Sequence, residues 1–564
     1  MGLSHRLAGA ALALMAGTTA TAATAAAQDS ADLIIRGGPI YTADDAQPQA
    51  EALAVRDGVL VHVGPAAGLA ALTGPDTRVI DLDGAAAYPG FVDGHAHLLG
   101  IGQREMTLNL DDAGSLAAMV DKVAEAVAAA EPGAVVYGRG WIETHWPEDR
   151  FPTAADLDPI APDNPVYLVR ADGHAAVVNS AALAAVGIDA RTEAPEGGEI
   201  LRDPAGRPTG MLIDTAMGLA GELAPAMTGP DTEPGLVKAG EVYTARGWTG
   251  IHNMSVAYDR VARLERLSDA GRLRLRVYNS VDKQDADQLF DSGPRRSANG
   301  LVETRAVKLY ADGALGSRGA RLLQPYSDRP DTRGLFLDRR DDVIDLFTRG
   351  LRAGIQMNTH AIGDAANRAV LDWYAEAFKA VPPEARAVAV PRWRIEHAQI
   401  VAPADIPRFA ALGVIPAMQP SHAIGDLHFA ADRLGLDRLA GAYAWARFVE
   451  TGAPVVGGSD APVEAGEPMV EFYAAVARRD LSGFQGEGWH PELAVSRDVA
   501  LKMFTLWPAL GAFQEQRLGS LSVGKRADIT VFDADIMTVA EDRLPHVEAV
   551  MTIVDGQVVW RRQP

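Results

Sequence analysis

The 564-residue sequence contains no cysteine. That excludes disulfides, thiolate metal ligands and cysteine nucleophiles together, so a bound metal has to be held by His, Asp, Glu or a modified Lys. Positive charge is outweighed: 52 Lys and Arg face 74 Asp and Glu, a formal net charge of −22, which argues against nucleic acid or an anionic membrane surface as partner. After the first residues there is no apolar run long enough to cross a bilayer. There is also no internal repeat or low-complexity tract, which an adhesive or purely structural chain would show. Gly313, Gly316 and Gly319 match neither G-x-S-x-G nor G-x-G-x-x-G, so nucleophile-elbow and dinucleotide-binding readings lack support.

The chain is 48% hydrophobic, ample for a large core. Arg6, the short apolar run from Leu7 to Gly17 and the small-residue tract that follows read as a secretory signal peptide over residues 1–27. A bacterial periplasmic or secreted location follows, with no stable membrane anchor. Short strand-like segments near both ends (Leu33–Arg36, Ala52–Val55 and Val59–Val63; Asp528–Phe532, Val547–Val550 and Gln557–Trp560) predict one small β domain from residues 28–88 and 517–564. Between them, apolar runs such as Val307–Tyr310 and Val414–Ala417 alternate with amphipathic segments such as Asp342–Ala353 and Ala365–Ala380. Such alternation predicts an α/β fold, a (β/α)₈ barrel over residues 89–516 with an inserted subdomain at about 101–227.

Barrel enzymes carry their chemistry at the C-terminal strand ends. There the sequence places His95 and His97, one residue apart and hence on one face of a strand. Later strand ends supply Lys308, His360, His397 and Asp460 in barrel order. Imidazole nitrogens and a carboxylate converging on one mouth suit a divalent metal. Any one of these residues could be an ordinary satisfied polar group or a helix cap; in series they form a strong signal.

The motifs PGFVDGHAH (89–97), DGHAAVVNSAAL (172–183), KLYADGALGSRGA (308–320), THAIGDAAN (359–367), RIEHAQ (394–399), GGSDAPVE (457–464) and GSLSVGKRADITVFD (519–533) resemble the amidohydrolase superfamily. Within it they are similar to the YtcJ-like, or amidohydrolase 3, branch that includes N-substituted formamide deformylases. The resemblance implies a distorted TIM barrel, a small β-sandwich built from both termini, and one or two divalent metals, usually zinc. It implies that His95, His97 and Asp460 ligate the more buried metal, that a carboxylated Lys308 bridges, and that His360 and His397 hold the second; unmodified Lys308 with a single metal is the alternative. The chain departs from its relatives at Asn253, where they often carry aspartate, and at Asp214, where they often carry glutamate; His252 is left as a pocket residue.

The chemistry implied is attack of metal-activated water on a carbonyl, with Asp460 as proton acceptor and donor. His174 or His422 would assist the oxyanion. Trp141, His145 and His174 of the inserted segment, with His422, are the expected substrate contacts, although Trp141 could equally be core. The expected substrate is a small N-acyl or N-formyl amide; a cyclic amide, carbamate, ester or lactone would suit the same machinery. A catalytically silent binding protein is the rival class, marked by a broken ligand set. Homo-oligomerisation stays open.

Overall fold

The computed structural model describes residues 30–563 except 196, 225–231 and 487, and describes His145 without its side chain. The expected signal peptide lies outside the described residues. Eight parallel strands make the barrel: β1 (Phe91–Ala96), β2 (Trp248–Val256), β3 (Arg276–Asp282), β4 (Val302–Tyr310), β5 (Gln356–Ala361), β6 (Arg394–His397), β7 (Ile415–Met418) and β8 (Val456–Gly457). They pair in sequence order from β1 to β8. Their near-continuous burial is what a parallel sheet covered on both faces requires. The helix Arg340–Ala353 shows how the outer ring is built. It turns Val343, Phe347 and Leu351 inward at helical spacing, carries Asp341 and Asp342 in its first turn, and ends at Gly354 in the left-handed region. One strand begins later than its apolar run suggests: the Leu273 N–H bonds the Leu267 carbonyl at 3.2 Å, so that residue closes the preceding helix and β3 starts at Arg276.

Between β8 and β1 there is no strand pairing among the described residues. The seam is closed by the Asp93 carboxylate, which accepts from the Ser459 N–H (2.9 Å), Ser459 Oγ (2.6 Å), Tyr243 Oη (2.9 Å) and the His95 N–H (3.2 Å). The Asp460 N–H then donates to the His95 carbonyl at 2.6 Å. So close an approach needs glycine: a Cβ on Gly458 would overlap the His95 backbone nitrogen.

Two further sheets flank the barrel. The first orders Gln557–Arg561, Ala549–Val554, Ile529–Phe532, Ala86–Pro89, Leu33–Tyr41, Gln49–Arg56 and Val59–Gly64, with Arg78–Asp81 paired to Leu33–Tyr41, and so unites both ends of the chain. The second has six strands between Leu108 and Asp214, all from the segment that follows β1. Arg276, at the start of β3, ties the barrel to the first sheet. It is buried, donating from Nη2 to Asp528 Oδ1 (3.0 Å) and to Asp555 Oδ1 (2.8 Å), with Nε paired to Asp528 Oδ2. Removing one partner of a buried ion pair strands the other's charge, at about 3–5 kcal/mol. Arg276→Met is therefore expected to lower the unfolding temperature well beyond the exposed control Arg207→Met, as differential scanning calorimetry will read.

Candidate metal centre

His95 ends β1 with its side chain wholly buried, while His97 opens the next helix and stays 29% exposed. The strand's alternation brings both imidazoles to one side. His97 Nε2 lies 3.0 Å and His95 Nε2 3.4 Å from Asp460 Oδ1, so these donor atoms surround one point. Asp460 reaches that point from a backbone turned into the left-handed region (φ 62°) just past β8. His397 does likewise: its φ of 71° breaks the alternation of β6, so that Glu396 and His397, though consecutive, both face His95. Backbone held this way costs energy and concentrates at functional sites.

A second group of donors, His397, His422 and Asp460, lies on the other side of the same carboxylate. His422 comes from the helix Pro420–Asp426 after β7. Lys308 ends its run inside β4, buried, with Nζ 3.3 Å from His95 Nε2. His360 packs edge-on against His397 (ring centroids 4.4 Å), but its Nε2 faces the Gly313 carbonyl (3.5 Å) and Asp312 Oδ1 (3.6 Å), and it belongs to neither donor group.

The electrostatics suit a cation. Burial, reinforced by the Lys308 charge, pushes the His95 imidazole well below its usual pKa, and burial followed by neighbouring His360 does the same for His397; both are neutral and able to ligate. Burial alone would raise the Asp460 carboxyl, but the imidazoles of His95, His97 and His397 hold it well below the usual range, hence ionised.

Residues 78–560 match the Amidohydrolase family. The chain belongs to that family. YtcJ of Bacillus subtilis (strain 168) is 32% identical over 539 residues, covering 94% of this chain and 99% of its own. The N-substituted formamide deformylase of Arthrobacter pascens is 29% identical over 549 residues, covering 94% and 98%. Among solved structures, an uncharacterized metal-dependent hydrolase from Pyrococcus horikoshii OT3 aligns with a TM-score of 0.74 at 25% identity, over 90% of this chain and 99% of that one. The family's chemistry is metal-dependent hydrolysis.

This amidohydrolase's own side chains fit a divalent cation. His397 Nδ1 and His422 Nε2 are buried with no hydrogen-bond partner among the described residues, a costly condition that a ligand relieves. His95 has its other nitrogen fixed: Nδ1 sits 2.5 Å from Glu396 Oε2, leaving Nε2 to face Asp460. Glu396 is in turn held by Arg394, with Nε 2.7 Å from Oε1 and Nη2 2.9 Å from Oε2, and Arg394 reaches His252 Nδ1 at 2.6 Å. His252 therefore lies beneath the centre, behind Arg394. Sequence reasoning missed Glu396 and Arg394, although two charged residues at alternate positions of an apolar strand were the available signal. Asn253 is a tether: its Oδ1 accepts the Leu98 N–H (2.9 Å), fixing the turn after His97. Asp312, also missed, accepts the N–H groups of Ile362, Gly363 and Arg321 at 2.7–2.9 Å and so fixes the loop after His360.

Of the expected substrate contacts, Trp141 is corrected. Its side chain is fully buried, donates from Nε1 to the Leu168 carbonyl (2.9 Å) and packs on Trp146, in the core of the inserted sheet. The His145 side chain lies outside the described residues. His174 is partly exposed and pairs through Nδ1 with Asp214 Oδ1 at 2.8 Å, near enough to His360 for its charge to bear on that ring.

Loss of a carboxylate behind a ligating histidine costs roughly 10–100-fold in metal affinity. Glu396→Gln is expected to weaken metal binding by that factor in chelator competition, while circular dichroism stays that of the parent.

Proposed function

We propose that this amidohydrolase cleaves the C–N bond of a small-molecule amide, with N-acyl and N-formyl amides as the leading class. The reading rests on one arrangement: an ionised carboxylate, Asp460, within 3.7 Å of His95, His97 and His422 nitrogens at the mouth of a closed barrel. The formamide deformylase named above supports the substrate class, and the convergence of His95, His97 and Asp460 disfavours the binding-protein reading. His95, His97 and Asp460 would hold the cation, with zinc the best match to an imidazole–carboxylate set. When bound, a divalent ion supplies Lewis acidity, polarising a carbonyl and letting water ionise near neutral pH.

Asp460 accepts the proton of the attacking water and returns it to the leaving nitrogen, a task suited to a carboxylate held ionised beside the reacting atoms. Lys308 is buried and its amine is thereby pushed down to about 8. A neutral amine there can add CO₂ and release a proton, becoming a carbamate whose two oxygens would complete the donor set. His174 serves the carbonyl oxygen: burial would lower its pKa, but Asp214 and Asp172 lift it above the ordinary imidazole value, favouring the proton-donating form. With the signal-like leader, the site of action is the periplasm or the medium.

Dialysis against a chelator should abolish hydrolysis across a panel of N-formyl, N-acyl and cyclic amides, and zinc should restore it; turnover that survives complete metal loss sinks the proposal. In metal-loaded Asp460→Asn, kcat should fall roughly 10²–10⁴-fold, the usual worth of a positioned acid–base group.

The His174 proton is useful only while bound, so kcat/KM should decline as pH rises through its raised pKa. Asp214→Asn removes the carboxylate that retains that proton and should move this alkaline limb to lower pH. Asparagine is close in shape to the aspartate already held at a φ of 47° there, so the backbone need not change.

A further inference from the structure

Arg139 stands near the end of the strand Val136–Trp141 in the inserted sheet. Val136 turns into that sheet's core, so the strand's alternation sends Arg139, three residues on, to the opposite face. There its Nη2 donates to the Ala171 carbonyl at 3.1 Å, and a Cβ on Gly173 would lie 3.5 Å from the same nitrogen. The guanidinium thus rests against the turn that carries His174. It is also close enough to the metal centre for the Asp460 charge to bear on it. Yet it has no carboxylate of its own among the described residues, and its Nε is buried with no hydrogen-bond partner. The other acids whose charges reach it are engaged elsewhere: Asp111 lies 3.5 Å from Arg104 Nη1, and Asp172 pairs with Arg170. Asp460 is turned to His95 and His97.

A guanidinium keeps its charge at any working pH. Half-buried beside the centre, it is costly to hold without a counter-ion, and a carboxylate relieves that cost by accepting parallel N–H bonds. We propose that Arg139 receives a carboxylate borne by the substrate, so that the enzyme prefers anionic amides to neutral ones. The proposal rests on the hydrolase reading and narrows its substrate. His174 and Arg139 then share one wall of the mouth, His174 serving the carbonyl oxygen and Arg139 holding the charged end that fixes the amide's position. Arg170, at the base of the same turn, cannot take this part, since Glu143 (2.8 Å) and Asp172 already hold it. Lysine at position 139 would not be equivalent, because a point charge lacks the planar fork that matches two carboxylate oxygens.

Steady-state hydrolysis by the metal-loaded, full-length enzyme tests this with matched pairs. N-formyl and N-acetyl amino acids are set against their own carboxamides and followed by release of formate or acetate. Succinamate and glutaramate are set against butyramide and valeramide and followed by ammonia release. In at least one kind of pair, kcat/KM should favour the carboxylate by roughly 10–100-fold, the worth of a hydrogen-bonded charge. That ratio should fall toward one in Arg139→Gln, through KM, and only partly in Arg139→Lys, which also serves should the glutamine variant fail to fold. Equal turnover within every pair, or a preference that Arg139→Gln keeps, overturns this proposal and leaves the hydrolase reading intact. If no amide is cleaved, the thermal shift that the same carboxylates give the metal-loaded protein decides. A shift lost in Arg139→Gln upholds the anion site while the hydrolase reading falls; no shift in the parent overturns both.

Discussion

A single buried carboxylate closes the barrel. Asp93 carries four donors from three parts of the chain, and through Ser459 it fixes where the loop after β8 runs. Burial pushes its pKa up to about 6 and those hydrogen bonds only partly offset the rise, so the seam keeps an ionisable group in a costly place. The return is geometric. With Ser459 pinned, the Asp460 backbone docks on the His95 carbonyl, and its side chain can only point at the imidazoles. The meeting of His95 and Asp460 depends on that docking, because the two are far apart in sequence and share no strand ladder.

Beneath the centre, the barrel interior departs from the branched aliphatic layers usual for this architecture. His252, Arg394 and Glu396 run in contact up to His95, all buried. Replacing such a chain by apolar side chains would often be neutral or stabilising. Its worth lies in pre-organisation: an orienting group must itself be held, and a buried guanidinium–carboxylate ion pair with a charge-assisted hydrogen bond does so.

Much of this architecture was legible because strand ends are marked twice, by an apolar run and by the polar residue that stops it. His95, His97, Lys308, His397 and Asp460 were found that way, and the structure gathers them at one mouth. His422 carried no comparable mark, since it sits on a short helix whose position depends on how β7 leaves the barrel. Glu396 was hidden by its neighbour: RIEH ends in a histidine that drew the reading, and no pattern rule announces the positive φ that lets both residues face inward. Trp141 shows the opposite error. Indole surface serves a core and a pocket equally, and only the location of Leu168 decides between them.

The sheet that unites the chain's ends sets a condition on biogenesis. Ala86–Pro89, immediately before the barrel, pairs with Ile529–Phe532, so the strand waits for a partner made only after the whole barrel. Until then it offers an open edge and an uncovered apolar face to other chains. Arg276 meanwhile has no Asp528 to meet. A nascent chain that has not reached Asp528–Phe532 thus carries an exposed edge and an unpaired charge. The pairing thereby makes the order of synthesis, and not only the final contacts, a condition for the fold.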